Sequence, residues 1–249
     1  MTTPARGIAV QHGVQRAIAW LMAPLWVPFA ALVMRFGLGY RIRDVARHRA
    51  RYRELFRESQ APLLVCANHL TMIDSFLVGW TLGNPFWFLV HFDRLPWNVP
   101  EASNFAARLW SAAATYLAKC VPVSRGGRRE DVARVLERIV HLLHRGEVAV
   151  MFPEGGRSRT GRVDVDQSAW GVGRVVAAVP DCRVLCVYLR GDRQDTWGTI
   201  PARGDRFEVL TECIEPKSDH RGARRSRDLA RQITTQLARL EGEYFDGRQ

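Results

Sequence analysis

The chain has 249 residues, 47% apolar and 24% charged, which fits one α/β body with an appendage, or two small domains, and excludes a disordered or collagen-like chain. Lys and Arg number 36 against 25 Asp and Glu, a net charge of +11, so its natural partners are polyanions: anionic lipid, phosphorylated substrates or nucleic acid. The five cysteines (Cys66, Cys120, Cys182, Cys186, Cys213) form no CxxC pair, which argues against a disulfide scaffold or a structural zinc and for a reducing compartment.

Ala17 to Met34 carries no charge and is flanked by Arg16 and Arg35. It is close to the length of a membrane span, yet Pro24 and Pro28 interrupt it, while Trp20 and Trp26 suit an interface. Membrane contact is expected, with span and shallow insertion both open. Arg41 to Arg57 follows, with Val45, Tyr52, Leu55 and Phe56 at helical spacing among many arginines. This predicts a basic amphipathic helix able to lie on anionic lipid, against the plainer alternative of a solvated charged face. Residues 1–58 thus read as a membrane-associated helical segment and 59–249 as the α/β domain. If the first segment spans, the positive-inside rule puts that domain on the cytoplasmic face.

Within the domain, strands are expected over 62–67, 85–92, 120–123, 147–152, 183–190 and 206–213, and helices over 71–82, 103–118, 128–145 and 167–179. A closing helix is marked by Leu229, Ile233, Leu237 and Leu240. The alternation predicts a sheet with helices on both faces, with the chemistry on loops beyond the strand ends.

Three such loops stand out. Asn68-His69-x4-Asp74 links a strand to a helix, so the helix can return the Asp74 carboxylate to the His69 imidazole. A carboxylate there fixes the tautomer and stabilises the imidazolium of a general base. The structural alternative is a capping box, with Thr71 as N-cap and Asp74 in the first turn. Phe152-Pro153-Glu154-Gly155-Gly156-Arg157-Ser158-Arg159 follows the strongest strand, and backbone amides with Arg beside them can hold phosphate. Val123-Ser124-Arg125-Gly126-Gly127 empties into a further helix start, where Arg125 is placed to meet a phosphate. No G-x-S-x-G elbow accompanies the His-Asp pair, which points to a base acting directly on a substrate hydroxyl.

These residues resemble the glycerolipid acyltransferase family, best known for lysophosphatidate acyltransferases. Asn68, His69 and Asp74 match its N-H-x4-D block, and Phe152 to Ser158 match its F-P-E-G-[TG]-R-S block. Val123-Ser124-Arg125 matches the second block in part, and the strand around Cys186 lacks the usual Pro of the fourth. The resemblance covers about 60 to 190, together with the N-terminal segment. It implies a single α/β domain with a mixed sheet flanked by helices. It further implies acyl transfer from acyl-CoA or acyl carrier protein to the hydroxyl of a lysophospholipid, first among them 1-acylglycerol 3-phosphate. His69 and Asp74 would be the catalytic pair, and Asn68, Arg125, Glu154, Gly155, Gly156, Arg157 and Ser158 the substrate-binding residues. No cofactor and no metal are expected beyond the co-substrate, and no nucleic acid. Glycerol 3-phosphate, another lysophospholipid, or a lipid alcohol or amine remain alternative acceptors. A non-catalytic basic module for membrane or nucleic acid is the reading from another class.

Overall fold

The computed structural model describes residues 6–104, 109–124 and 126–248. Six strands form one mixed sheet in the order β1-β6-β5-β2-β4-β3. They are β1 (Arg41–Ile42), β2 (Leu63–Ala67), β3 (Trp97–Asn98), β4 (Ala149–Met151), β5 (Arg183–Gly191) and β6 (Arg206–Ile214). Only the β5–β6 pairing is antiparallel. β2 and β5 are buried along their whole length, because helices cover both faces of the sheet, and this is why they read as unbroken apolar runs.

Alternate residues serve two cores. Leu64, Cys66, Cys186 and Tyr188 face α6 (Arg129–His144), α7 (Trp170–Ala178) and α8 (Gly222–Asp246). Leu63, Val65, Leu185 and Val187 face the N-terminal helices: α1 (Arg6–Leu32), α2 (Val45–Glu58), α3 (Asp74–Leu82) and α4 (Pro85–Val90). The α7–α8 contact is close enough to require Gly173, where a Cβ would fall 1.8 Å from the Ser226 carbonyl oxygen.

α1 is tied to the body by buried polar contacts. His12 Nε2 meets Glu147 Oε1 at 2.7 Å, and Trp97 Nε1 donates to Glu147 Oε2 at 2.8 Å. Gln15 donates to the carbonyls of Tyr116 and Cys120, and Arg138 donates to Gln15 Oε1. Such groups tolerate burial only when paired, so they fix where this helix lies.

Three expectations need correction. Residues 85–92 are not a strand: α4 covers 85–90, capped by Asn84 Oδ1 accepting from Trp87 N and with Pro85 at its first position. Residues 120–123 make only isolated bridges, Asn98 with Cys120 and Glu101 with Val123, since Pro122 has no N–H to extend a ladder. α2 does not lay an apolar face on lipid. Tyr52 and Leu55 are buried in the core it shares with α3, while Arg49 donates to the Trp80 carbonyl and Arg53 lies over the Trp87 ring. The helix expected over 103–118 is present as α5 (Leu109–Leu117), and its earlier part falls largely outside the described residues.

Candidate active site

The chain leaves β2 at Ala67 and turns at once. Asn68 is buried and exchanges both amide groups with the Leu189 backbone, Nδ2 donating to its oxygen at 3.0 Å and Oδ1 accepting from its N–H at 2.8 Å. This clasp locks the end of β2 against β5. His69 follows, with its side chain 13% exposed. Its Nδ1 lies 3.0 Å from Asp74 Oδ2. The same oxygen accepts from the N–H groups of Leu70 at 2.6 Å and Thr71 at 2.7 Å, and Oδ1 accepts from the Thr71 hydroxyl. Both sequence alternatives are therefore partly realised. Asp74 reaches back to the Thr71 N–H as a capping box requires, but α3 begins at Asp74, with Ile73 as N-cap. The Thr71 hydroxyl bonds the carboxylate instead of a helix N–H.

The loop after β4 supports His69 from the other side. The Phe152 ring stacks on the imidazole with centroids 4.1 Å apart and planes at 20°. Glu154 Oε1 accepts from the His69 N–H at 3.0 Å, and the Ser158 N–H donates to the His69 carbonyl at 2.8 Å. Burial pushes the Glu154 carboxyl up to about 8, while the His69 hydrogen bond pulls it the other way. Glu154 is thus a largely neutral group at pH 7 that holds the His69 backbone. Gly155 adopts φ +66°, and a Cβ there would meet the Ala169 Cβ at 2.9 Å, so this turn needs glycine on two counts. Ser158 Oγ turns away to the Arg162 carbonyl.

His69, Phe152, Gly156 and Arg157 line a polar cavity of about 330 Å3 together with Met72, Ser75, Asn98, Arg159 and Trp197. Arg157 donates to the Gly198 carbonyl at 2.8 Å and lies over the Trp197 ring. Arg159 is exposed and forms no ion pair among the described residues. At Met72 and Ser75 the cavity meets an apolar cleft of about 710 Å3 between α1, α3 and α5, lined by Trp26, Phe29, Met34, Phe76 and Ala114. Arg125 lies outside the described residues. Among those described, no group of three or more His, Cys, Asp or Glu side chains is placed to hold a metal.

Sequence reasoning singled out His69, Asp74 and the 152–158 loop, and the structure brings these together. It missed Ser75, the residue directly after the N-H-x4-D block, and Asn98 and Trp197, which arrive from other segments with no motif around them. Arg159 carried one signal, the R-x-R spacing with Arg157.

The site is a histidine paired with a buried carboxylate, at a strand end of a mixed α/β sheet and beside an apolar cleft. The family model described as acyltransferase matches residues 47–190, more than half of the chain, and the protein belongs to that glycerolipid-acyltransferase-like family. No curated protein matches the chain significantly.

Proposed function

We propose that this acyltransferase moves a fatty acyl group from a thioester, acyl-CoA or acyl carrier protein, to the hydroxyl of a lysophospholipid, 1-acylglycerol 3-phosphate before others. The observation that carries the reading is the His69–Asp74 pair in a polar cavity continuous with an apolar cleft. Nδ1–H is given to Asp74, so Nε2 keeps its lone pair for the cavity.

Nε2 takes the proton of the acceptor hydroxyl, and the oxygen attacks the thioester carbonyl. The tetrahedral intermediate collapses with cleavage of the C–S bond, and the thiolate recovers the proton from the imidazolium. Asp74 stabilises that imidazolium while it exists. The N–H groups of Gly156 and Arg157 have no partner among the described residues and can donate to the oxyanion. No acyl-enzyme forms. The cleft receives an acyl chain, and Arg157 and Arg159 face the acceptor phosphate. Arg125, outside the described residues, is assigned to the phosphate by the family resemblance alone, while Asn68, Glu154, Gly155 and Ser158 hold the loops that carry the site. No cofactor is needed beyond the acyl donor.

The test is an acceptor panel in mixed micelles: lysophosphatidate, glycerol 3-phosphate, lysophosphatidylcholine and a monoacylglycerol, with palmitoyl-CoA and then palmitoyl-acyl carrier protein. Thiol release fastest with lysophosphatidate supports the reading. Release only with an acceptor lacking phosphate would overturn the acceptor and leave the chemistry.

A further inference from the structure

α7 and α8 cover the face of the sheet opposite α1 to α4 and run antiparallel. Ser168, just before α7, meets Thr234, while Gly173 lies on Ser226. The surface they leave is strongly basic. Arg221, Arg224, Arg225, Arg227 and Arg231 come from the start of α8, and Arg174 from α7. All six are exposed, and none forms an ion pair among the described residues. The only acid in the run 221–231, Asp228, is hydrogen-bonded by Ser218 and Gln232.

This charge order works against the helix. A helix N-terminus carries partial positive charge and favours acids. α8 has no acid in its first turn, Arg221 at its N-cap makes no capping hydrogen bond, and Arg224 and Arg225 follow at once. Stability alone would place carboxylates there, so these arginines answer to something outside the helix.

Between the two helices lies a groove of about 570 Å3, lined by Trp170, Arg174, Ala177, Ala178, Gly222 and Ala223. Trp170 is 49% exposed, and the Arg227 guanidinium lies 3.9 Å from its ring centroid. Exposed tryptophan beside arginine is the composition of protein–protein contact centres. The groove starts at the active-site loop: the N–H of Ala169, the residue before Trp170, donates to the Pro153 carbonyl at 2.6 Å.

We propose that this groove docks an acidic helix of an acyl carrier protein, so that a carrier and not CoA delivers the acyl group. Arg224, Arg227 and Arg231, three or four apart, share one side of α8 and pair with the carboxylates of that helix. The alanines and Trp170 take its apolar side. Arg221 to Arg231 extends about 15 Å along the axis, so the phosphates of a single CoA would engage only part of it. Nucleic acid would leave the apolar groove unfilled. A bilayer that took the exposed apolar residues of α1 would lie across the sheet from it. The choice of donor rests on the function proposed above; the docking of an acidic helix does not.

The experiment measures binding of the full chain to immobilised holo-acyl carrier protein without acceptor, and then thiol release from palmitoyl-carrier and from palmitoyl-CoA. Arg224→Glu/Arg227→Glu is expected to weaken carrier binding about tenfold or more, to raise KM for the palmitoyl-carrier by the same factor, and to leave KM for palmitoyl-CoA within about twofold. Both side chains are exposed, so thermal melting is expected to stay near wild type. Ala178→Trp fills the groove without removing a charge and is expected to weaken carrier binding as well. Unchanged carrier binding by either variant would overturn the proposal. So would an equal rise in KM for palmitoyl-CoA, which would assign the arginines to CoA phosphates. Salt-dependent binding to a DNA duplex, with none to the carrier, would also overturn it. Carrier binding that the variants lose, with no acyl transfer to any acceptor, would support the docking surface and remove the catalytic reading.

Discussion

Asp74→Asn isolates the charge of the carboxylate from its geometry. Oδ2 accepts three N–H donors, from His69, Leu70 and Thr71, while Oδ1 accepts only the Thr71 hydroxyl. An amide can keep its oxygen at the first position and place its NH2 at the second, where the hydroxyl turns to accept. All four contacts survive, and each changes from charge-assisted to neutral. At about 1 kcal/mol for each such change, the fold loses about 4 kcal/mol, which a domain of ordinary stability survives. Asp74→Ala is the poorer test, since it leaves buried N–H groups without an acceptor, at about 1–3 kcal/mol each. Catalysis suffers more. Without the carboxylate the imidazolium loses its counter-charge, and the whole advantage of the general base, about 10²–10⁴ in kcat, is at stake. That is about 2.7–5.4 kcal/mol in the barrier. The assay is thiol release from palmitoyl-CoA in mixed micelles, beside thermal melting by circular dichroism. A folded Asp74→Asn protein with kcat within threefold of wild type would refute the role of the pair.

Glu154→Gln tests the neutral carboxyl. A group whose folded pKa, about 8, exceeds its unfolded value holds its proton in the native state, so its contribution to stability is complete below about 4.3 and declines as pH rises toward 8. The glutamine variant should lose that decline and melt higher than wild type near pH 8.5; identical melting profiles from pH 5 to 9 would contradict the assignment. Gly155→Ala should cost about 1–3 kcal/mol in denaturant unfolding, from the positive φ and the Ala169 contact, and a change under 0.5 kcal/mol would show that the loop yields. Arg159→Ala should raise KM for a phosphate-bearing acceptor about tenfold while leaving KM for the acyl donor unchanged, as expected for loss of one charge-assisted contact. Equal rises in both would detach it from the phosphate.

The fold was readable where one physical signal dominated. β2 and β5 are covered on both faces, and their apolar runs announced them. α6 and α8 bury one face each, and leucines and isoleucines at helical spacing marked them. Residues 85–92 misled because α4 is apolar all round. One side packs inward through Phe88, and the other lies exposed at Phe86 and Val90, so no period separates helix from strand. The Asn84-Pro85 start was the better guide, an N-cap followed by proline at the first helical position. The two-residue strands β1 and β3 are too short to leave a pattern, being held by their neighbours in the sheet. At the site, His69 and Asp74 were readable because both lie within one turn of chain. The supporting contacts were not. Asn68 clasps Leu189, and Phe152 stacks on His69, across 121 and 83 residues of sequence.

The central claim is that His69 is the base. The most direct measurement is single-turnover acyl transfer from palmitoyl-CoA to lysophosphatidate by His69→Ala and wild-type protein, with melting curves for both. The account predicts a variant that melts as a folded protein and transfers at least about 10²-fold more slowly, the low end of what a positioned base provides. Transfer at the wild-type rate by the folded variant would contradict it.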